Sequence, residues 1–155
     1  MLVISDTSPL SALIMTGREE LLLKIFGRIV IPPAVESELL RKHARLPEWM
    51  EIVAPILIPD SVNKANLDPG ETEAIALALE LQPDALLMDE RLGRRVAMNH
   101  HLTVTGLLGF LVLAKKRSAI QEVAPLIREL QTDGCCWFGE DLLIEVCESV
   151  GESWP

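Results

Sequence analysis

The chain has 155 residues, of which 49% are hydrophobic and 24% are charged, and its net charge is −9. This composition is typical of a soluble globular domain, and the length fits one domain. The acidic balance argues against a surface built throughout for phosphate backbones, because such a surface needs clustered Lys and Arg. Aromatic residues make up 4%, with no tyrosine, which argues against a broad stacking surface for single-stranded nucleic acid. Contact with nucleic acid would therefore depend on local basic patches or metal ions.

Short apolar runs alternate with helical patterns along the chain. This alternation predicts an α/β fold with a mostly parallel central sheet of about five strands, flanked by helices. The predicted strands are Leu2–Ser5, Arg28–Ile31, Val53–Ile58, Asp84–Met88 and Leu102–Thr105, with a weak sixth at Cys136–Phe138. The predicted helices are Pro9–Thr16, Arg18–Phe26, Ala34–Arg45, Glu71–Leu81, Arg91–Asn99, Gly106–Arg117, Ile120–Gln131 and Glu140–Ser149. The longest irregular stretch, Pro59 to Pro69, ends in a helix start and not in a domain boundary.

Two predicted strands end on acidic residues. The first strand of MLVISDTSPL runs into Asp6, and Ser8 and Pro9 are expected to begin a helix as N-cap and first residue. Asp89 and Glu90 follow the strand ALLM in the same way. Ligands of open α/β sheets bind beyond the carboxyl ends of the strands, so acids delivered there by two strands indicate a site. Acids that only cap helices or face water are the alternative.

A third acid lies in LDPGETEAIALALE. Asp68, Pro69 and Glu71 match a capping box, in which Asp68 is the N-cap. At about 100° per residue, however, Glu71 also falls in the middle of the apolar stripe of the helix. A carboxylate on a buried face is costly unless it is paired, hydrogen-bonded or bound to metal. Both roles, cap and ligand, remain open for Glu71.

A fourth candidate lies on the helix of IPPAVESELLRKHAR. Glu38 falls between Val35 and Leu39 on the inward stripe, but Glu36 falls between Leu39 and Leu40 on the same wheel. Periodicity does not separate the two glutamates, and both can be surface acids. Several acids in one place need a counter-charge, and Mg²⁺ prefers carboxylate and water oxygens. The chemistry that uses such a site is phosphoryl transfer.

These segments together resemble one family, the PIN-domain superfamily, and in particular a branch related to VapC-type toxin ribonucleases. The resemblance runs from Met1 to about Leu130 and implies a single three-layer domain over 1–155, with a core at 1–130 and an extension at 131–155. The motifs that carry it are DTSPL, VESEL, GETEAIALA, LLMDERLGRRVA and LTVTGLLGFLVLAKK.

The resemblance also implies a function, that of a metal-dependent ribonuclease that binds Mg²⁺ or Mn²⁺. Its implied partners are an RNA substrate, a small antitoxin that holds it inactive, and a second copy in a homodimer. By position, the implied metal ligands and catalytic acids are Asp6, Glu38, Glu71 and Asp89, with Glu90 as a further acid and with Thr7, Ser8 or Thr105 as the small hydroxyl residue near the metal. Two positions depart from the family pattern: Glu71 stands where many members carry aspartate, and MDER replaces a Thr-x-Asp or Asp-Asp pair.

Basic and apolar residues outside the acidic motifs allow two interpretations each. Arg91 shares a helix face with Arg94 or Arg95, so these residues predict either a local phosphate-binding patch or solvated charges. The helix GLLGFLVLAKKR is apolar around nearly its whole circumference, which indicates a central helix or a subunit contact. The tail, with Trp137 and Trp154, carries no catalytic motif.

Two other classes of protein share parts of this pattern. A nucleic-acid- or protein-binding module with weak chemistry would explain the acidic surface and the altered fourth acid. A phosphatase of the DxD type needs an acid two residues after its nucleophile, where this chain has Ser8.

Location is predicted from what the sequence lacks. We expect a soluble, cytoplasmic protein without membrane association, because no apolar run reaches about 18 residues and the start does not match a signal peptide. The cysteines, Cys135, Cys136 and Cys147, form no CxxC pair and predict buried thiols in a reducing compartment.

Overall fold

A computed structural model describes residues 1–134 and 136–155. At its centre lies a five-stranded sheet in the order β3-β2-β1-β4-β5, and all four strand pairings are parallel. The predicted α/β class with a parallel central sheet is confirmed. The strands are β1 (Leu2–Ser5), β2 (Arg28–Ile31), β3 (Met50–Ile52), β4 (Ala85–Leu87) and β5 (Val104–Thr105).

Helices cover both faces of the sheet, which gives the three layers that the resemblance implied. In the described part of the chain they are α1 (Thr7–Met15), α2 (Glu20–Phe26), α3 (Pro33–Leu40), α4 (Asp60–Asn63), α5 (Pro69–Leu81), α6 (Arg91–Asn99), α7 (Leu107–Lys116), α8 (Ala124–Thr132) and α9 (Glu140–Ser149). No helix of these residues is both long and apolar enough to cross a membrane.

The two faces of the sheet bury alternate residues of the same strands. Val3 pairs in register with Ile29, and both belong to the larger core cluster, with residues of α1–α3 and α7–α9. The next pair, Ile4 and Val30, belongs to the smaller cluster, with residues of α4–α6. This period of two, with apolar residues on both sides, explains why the strands are continuous hydrophobic runs.

The third strand was predicted in the wrong place. Val53–Ile58 is not a strand; β3 lies just before it and pairs with β2. Pro55 interrupts the segment and has no N–H for a ladder. The amides of Ile56 and Leu57 instead donate to Glu80 Oε1 at 2.7 and 3.1 Å, and Ile56 is 94% exposed. The apolar run therefore belongs to a surface loop.

Three further predictions of local structure were wrong. Helix α1 begins at Thr7 with Asp6 as its N-cap, so Ser8 lies inside the first turn and is not the cap. Helix α3 ends at Leu40 and does not reach Arg45, because residues after it are largely exposed and gain no burial from a longer helix. The segment Cys136–Phe138 is not a strand.

The apolar helix α7 is central, one of its two predicted positions, and of the cysteines predicted to be buried Cys147 is buried. Helix α7 is central, since its buried residues form part of the larger core cluster. Leu143 and Cys147 of α9 join the same cluster, while the division into a core and an extension stays a prediction. Cys136 is half-buried, and Cys135 lies outside the described residues.

The strand order determines where a site can form. From β1 the chain moves outward through β2 to β3, then crosses to β4 and continues outward to β5. The order reverses between β1 and β4, which are hydrogen-bonded neighbours. The carboxyl ends of these strands therefore flank the crevice in which open parallel sheets bind ligands. Asp6 and Met88 follow those two ends directly.

Candidate metal centre

Asp6 lies at the switch point and is almost enclosed by protein. It follows β1, and its backbone amide donates to the carbonyl oxygen of Leu87 at 2.9 Å, which extends the β1–β4 pairing by one residue. As N-cap of α1 it has extended backbone angles (φ −78°, ψ 174°), but its side chain accepts no capping hydrogen bond. Only 4% of the residue is exposed. The carboxylate is therefore held at the sheet edge, close enough to the amide of Thr7 for that amide to favour its charged form.

Glu38 reaches the same place from α3. The hydroxyl of Thr7 donates to its carboxylate, which links α3 to the first residue of α1. A methyl group built at Gly70 would lie 2.7 and 2.9 Å from the two carboxylate oxygens of Glu38, closer than ordinary contact allows. The lack of a side chain at Gly70 thus makes room for this carboxylate. Glu36 is not among the described residues that group here, so the structure separates two glutamates that periodicity could not.

Asp68 completes a group of three acids. The sequence predicted Asp68 as a helix cap but not as a member of this group. One carboxylate oxygen of each of Asp6, Glu38 and Asp68 lies within 4.8 Å of the others. Asp68 is also the N-cap of α5, and its Oδ1 accepts from the amide of Glu71 at 2.8 Å. The capping box predicted the second interaction but not the first, because a cap uses one oxygen and the direction of the other depends on packing between α3 and α5.

Glu71 lies behind Asp68 and is 6% exposed, as the apolar stripe of α5 predicted. The negative charge of Asp68 acts on this buried carboxyl group and favours its neutral form. Gly93 of α6 packs beside it: a methyl group there would lie 3.4 Å from Glu71 Oε2 and 2.7 Å from the sulfur of Met88. Helices α5 and α6 thus meet closely around this buried acid.

Two acids follow β4, and Glu90 lies nearer in its effect to the other acids than Asp89 does. The negative charge of Glu90 acts on Asp6, Glu71 and Asp89 alike, so it lies within electrostatic reach of all three. Asp89 faces another direction: its Oδ1 accepts from the first amide of α7, that of Leu107, at 3.0 Å, and Arg94 is its positive neighbour. We call Asp6, Glu38, Asp68, Glu71 and Glu90 the acidic cluster.

The acidic cluster changes the pKa values of its buried members. Desolvation by burial raises the pKa of Asp6 to about 7, and repulsion by Asp68, Glu38 and Glu90 adds to it, although the amide of Thr7 opposes the rise. Desolvation and the charges of Asp68 and Asp6 raise the pKa of Glu71 as well. Outside the acidic cluster, desolvation raises the pKa of Asp89 against the opposing effects of the Leu107 amide and Arg94, although part of this residue is exposed to solvent. Carboxylates held together at such a cost indicate a site for a cation.

A family comparison agrees with this geometry. The family model described as "DUF3368: PIN domain" matches residues 2–152, nearly the whole chain. The chain belongs to this PIN-domain family. Searches among curated proteins and among solved structures gave no match. A PIN domain indicates a nuclease-type function and the use of a divalent metal, and the acids at the β1–β4 crevice of this PIN domain are residues that could hold one.

The predicted substrate-binding residues of the PIN domain fall into two groups. Thr7 contacts the acidic cluster through Glu38, and Arg91 is exposed at the start of α6. The others, Ser8, Arg94 and Thr105, line a cleft of about 950 Å³ beside the cluster, together with Asp89 and Glu90. Arg94 is fixed there by donating from Nη1 to the carbonyl oxygen of Met88 at 2.9 Å.

Proposed function

We propose that this PIN domain is an endoribonuclease that hydrolyses RNA phosphodiesters with Mg²⁺ or Mn²⁺. The observation that carries the proposal is the convergence of Asp6, Glu38 and Asp68, which come from three separate parts of the chain. Family membership and the predicted acids at strand ends support the same chemistry.

The donor set fits a hard divalent cation. Carboxylate oxygens are the ligands that Mg²⁺ and Mn²⁺ prefer, and no nitrogen or sulfur donor belongs to the acidic cluster. The raised pKa of Asp6 is what mutual repulsion and burial produce when no counter-charge is present. Gly70 leaves space that a larger residue would take from Glu38. We infer that Asp6, Glu38 and Asp68 would hold the metal, with Glu71 and Glu90 around them.

The metal, when bound, supplies a water of lowered pKa and neutralises charge that develops on the phosphate. The chain's own residues provide orientation. Thr7 fixes the Glu38 carboxylate by its hydrogen bond, and the end of β1 fixes Asp6. In the metal-free protein the negative charges of Asp68 and Asp6 act on the buried carboxyl group of Glu71, and a bound cation would offset them. Arg94 is placed on the cleft wall, where it can bind a phosphate of the substrate.

The role that we propose for Asp89 differs from that of the acidic cluster. Its Oδ1 is engaged by the amide of Leu107, and Arg94 balances its charge. A ligand role through Oδ2 stays a prediction. We propose that Asp89 mainly fixes the start of α7 and Arg94 beside the metal, and that Glu90 is the acid of this pair that acts on the metal.

Glu38 and Glu36 give a matched test of the site, since both are glutamates of α3. We expect Glu38→Gln to weaken Mn²⁺ binding in calorimetry by tenfold or more, because it removes one of three converging carboxylates. Glu36→Gln should bind Mn²⁺ like the wild type. Cleavage of labelled RNA should follow the same order and stop when chelator is added. Equal effects of the two substitutions would contradict the proposed metal centre.

The toxin-like role remains a proposal carried by the resemblance. In it, a small antitoxin inhibits the nuclease in the cytoplasm, and two copies form a homodimer. A short neighbouring gene that encodes an antitoxin, and growth arrest on expression without it, would support this role. A binding module with weak chemistry is the alternative, favoured by the net charge of −9. RNA that binds but stays uncut with every divalent metal would favour that module.

A further inference from the structure

The cleft beside the acidic cluster has features that metal binding does not use. Its volume of about 950 Å³ is within the range of small-molecule sites. Asp89 and Glu90 line it, so it adjoins the proposed metal centre. Trp137 and Phe138, which precede α9, line it as well. No catalytic motif had pointed to this segment.

Trp137 is exposed in a way that the other aromatic residues are not. Phe26 and Phe110 are buried and stack on each other with centroids 6.1 Å apart. Trp154 packs against the core and lies 5.4 Å from the Arg128 guanidinium. Trp137, by contrast, is 84% exposed although it lines the cleft. An indole presented to solvent beside an open cleft is available to stack on a planar group.

The charges of the cleft fit a nucleotide. Lys42 lines it from the segment after α3, and Arg94 lines it from α6. Ser8, Thr105 and Leu108 line the same cleft. An exposed indole next to two basic residues, in a cleft that the acidic cluster adjoins, fits a nucleobase and its phosphate, and Met15, Leu142 and Val146 add apolar surface for the base.

We propose that this cleft binds one unpaired nucleobase of a single-stranded RNA, stacked on Trp137, next to the phosphate that is cleaved. This inference rests on the proposed function. Such stacking needs an unpaired base, because a paired base has no free face to offer the indole. Arg94 and Lys42 bind the adjoining phosphates.

Binding is measured with a fluorescent single-stranded RNA oligonucleotide and Mg²⁺, in the Asp6→Asn background so that the RNA stays intact. Trp137→Ala should weaken binding about tenfold, the effect expected for one stacked base. Trp137→Phe should restore most of the affinity, because a smaller ring still stacks. Leu57→Ala is the matched control: it removes an exposed apolar side chain outside the cleft and should change nothing.

Two further oligonucleotides test stacking directly. An abasic site in the strand should remove the difference between Trp137 and Trp137→Ala, and a duplex of the same sequence should bind both proteins equally. Equal binding of intact single strands to both proteins would overturn the proposal. Loss of self-association in Trp137→Ala, measured by sedimentation, with unchanged RNA binding would also overturn it, because the cleft would then be a subunit contact.

The two proposals fail separately. Wild-type protein that cleaves RNA while Trp137→Ala binds RNA normally would refute the stacking site and leave the nuclease intact. Wild-type protein that cuts no RNA with any divalent metal, yet loses binding in Trp137→Ala, would refute the nuclease and leave the stacking site.

Discussion

The metal-free protein should lose stability as the pH rises from 5 to 8. The cause is Asp6, whose pKa is raised from its ordinary 3.8 to about 7 by burial and by the neighbouring acids. Between these two values the folded protein keeps a proton on Asp6 and the unfolded chain does not. The folded state therefore binds more protons, and its free energy of unfolding falls with rising pH. The stabilisation is complete below about pH 4 and is lost by about pH 7.

The size of the effect follows from the same two pKa values. At about 1.4 kcal/mol for each pKa unit, the full difference corresponds to about 4 kcal/mol. Starting from pH 5, where most unfolded chains have already lost the proton, about 3 kcal/mol remains. This is a large part of the usual stability of a domain, about 5–15 kcal/mol. Glu71 acts in the same direction, since its pKa is raised too.

Urea denaturation in chelator at pH 5 and pH 8 measures this effect. We expect Asp6 to make the wild-type protein about 3 kcal/mol less stable at pH 8. Asp6→Asn should lose this part of the difference and keep the part that comes from Glu71. The amide that replaces the Asp6 carboxyl group in this variant stays uncharged and can donate to the neighbouring carboxylates. Glu36→Gln removes a charge that does not act on Asp6, and it should keep the wild-type slope. Mn²⁺ should stabilise the wild type strongly at pH 8 and weakly at pH 5.

Two results would refute this reasoning. Wild-type protein that is more stable at pH 8 than at pH 5 in chelator would mean that the acidic cluster is not repulsive. Asp6→Asn protein with the same pH slope as the wild type would mean that Asp6 titrates normally, and that its burial carries no electrostatic cost.

Two other substitutions test packing around the site and the tail. Gly70→Ala should weaken Mn²⁺ binding in calorimetry, because the added methyl group displaces Glu38. Gly139→Ala is the control and should bind Mn²⁺ normally, because a methyl group there meets no atom within 4 Å. Equal binding by the two variants would show that Glu38 adapts freely. Glu152→Gln should lower the free energy of unfolding by about 1–3 kcal/mol, because this carboxylate accepts from the first amides of α8 and pairs with Lys115 at 2.7 Å. The pKa of Glu152 is lowered because the amides and Lys115 outweigh the effect of burial. The loss of stability in Glu152→Gln should therefore be smaller at low pH, where the wild-type carboxylate is protonated. A loss that does not change with pH would contradict the pairing of Glu152 with Lys115.

The sequence predicted the sheet better than the loops around it. The strands of the centre, β1 and β2, are buried on both faces, so their apolar runs are long and their boundaries were found as they are. The edge strand β3 is short and has two exposed residues, Glu51 and Ile52. Its signal was therefore weaker than that of the apolar loop that follows. The strand propensity of that loop is overridden because Glu80 accepts a hydrogen bond from the amide of Ile56, which therefore needs no partner in a neighbouring strand.

The candidate site was predictable where a strand or a helix stripe determines the position of a side chain. Asp6 follows from the strand end and Glu71 from the apolar stripe of α5. Asp68 could not be found in this way, because its role depends on which direction its second oxygen faces. The choice between Asp89 and Glu90 likewise depends on one turn, and adjacent residues there point apart. Trp137 lies in an irregular segment, where no periodicity connects a residue with its surroundings.

The net charge of −9 becomes compatible with RNA once the acidic cluster is considered apart from the rest of the surface. The cluster holds five carboxyl groups in one place, and these repel phosphate in the absence of a cation. A bound divalent cation would offset much of that charge, and the side chains of Arg94 and Lys42 line the adjoining cleft, where they can bind phosphate. Affinity for RNA should therefore depend on metal more steeply than on the total charge of the protein. An acidic PIN domain of this design would bind its substrate more tightly with the metal in place than without it.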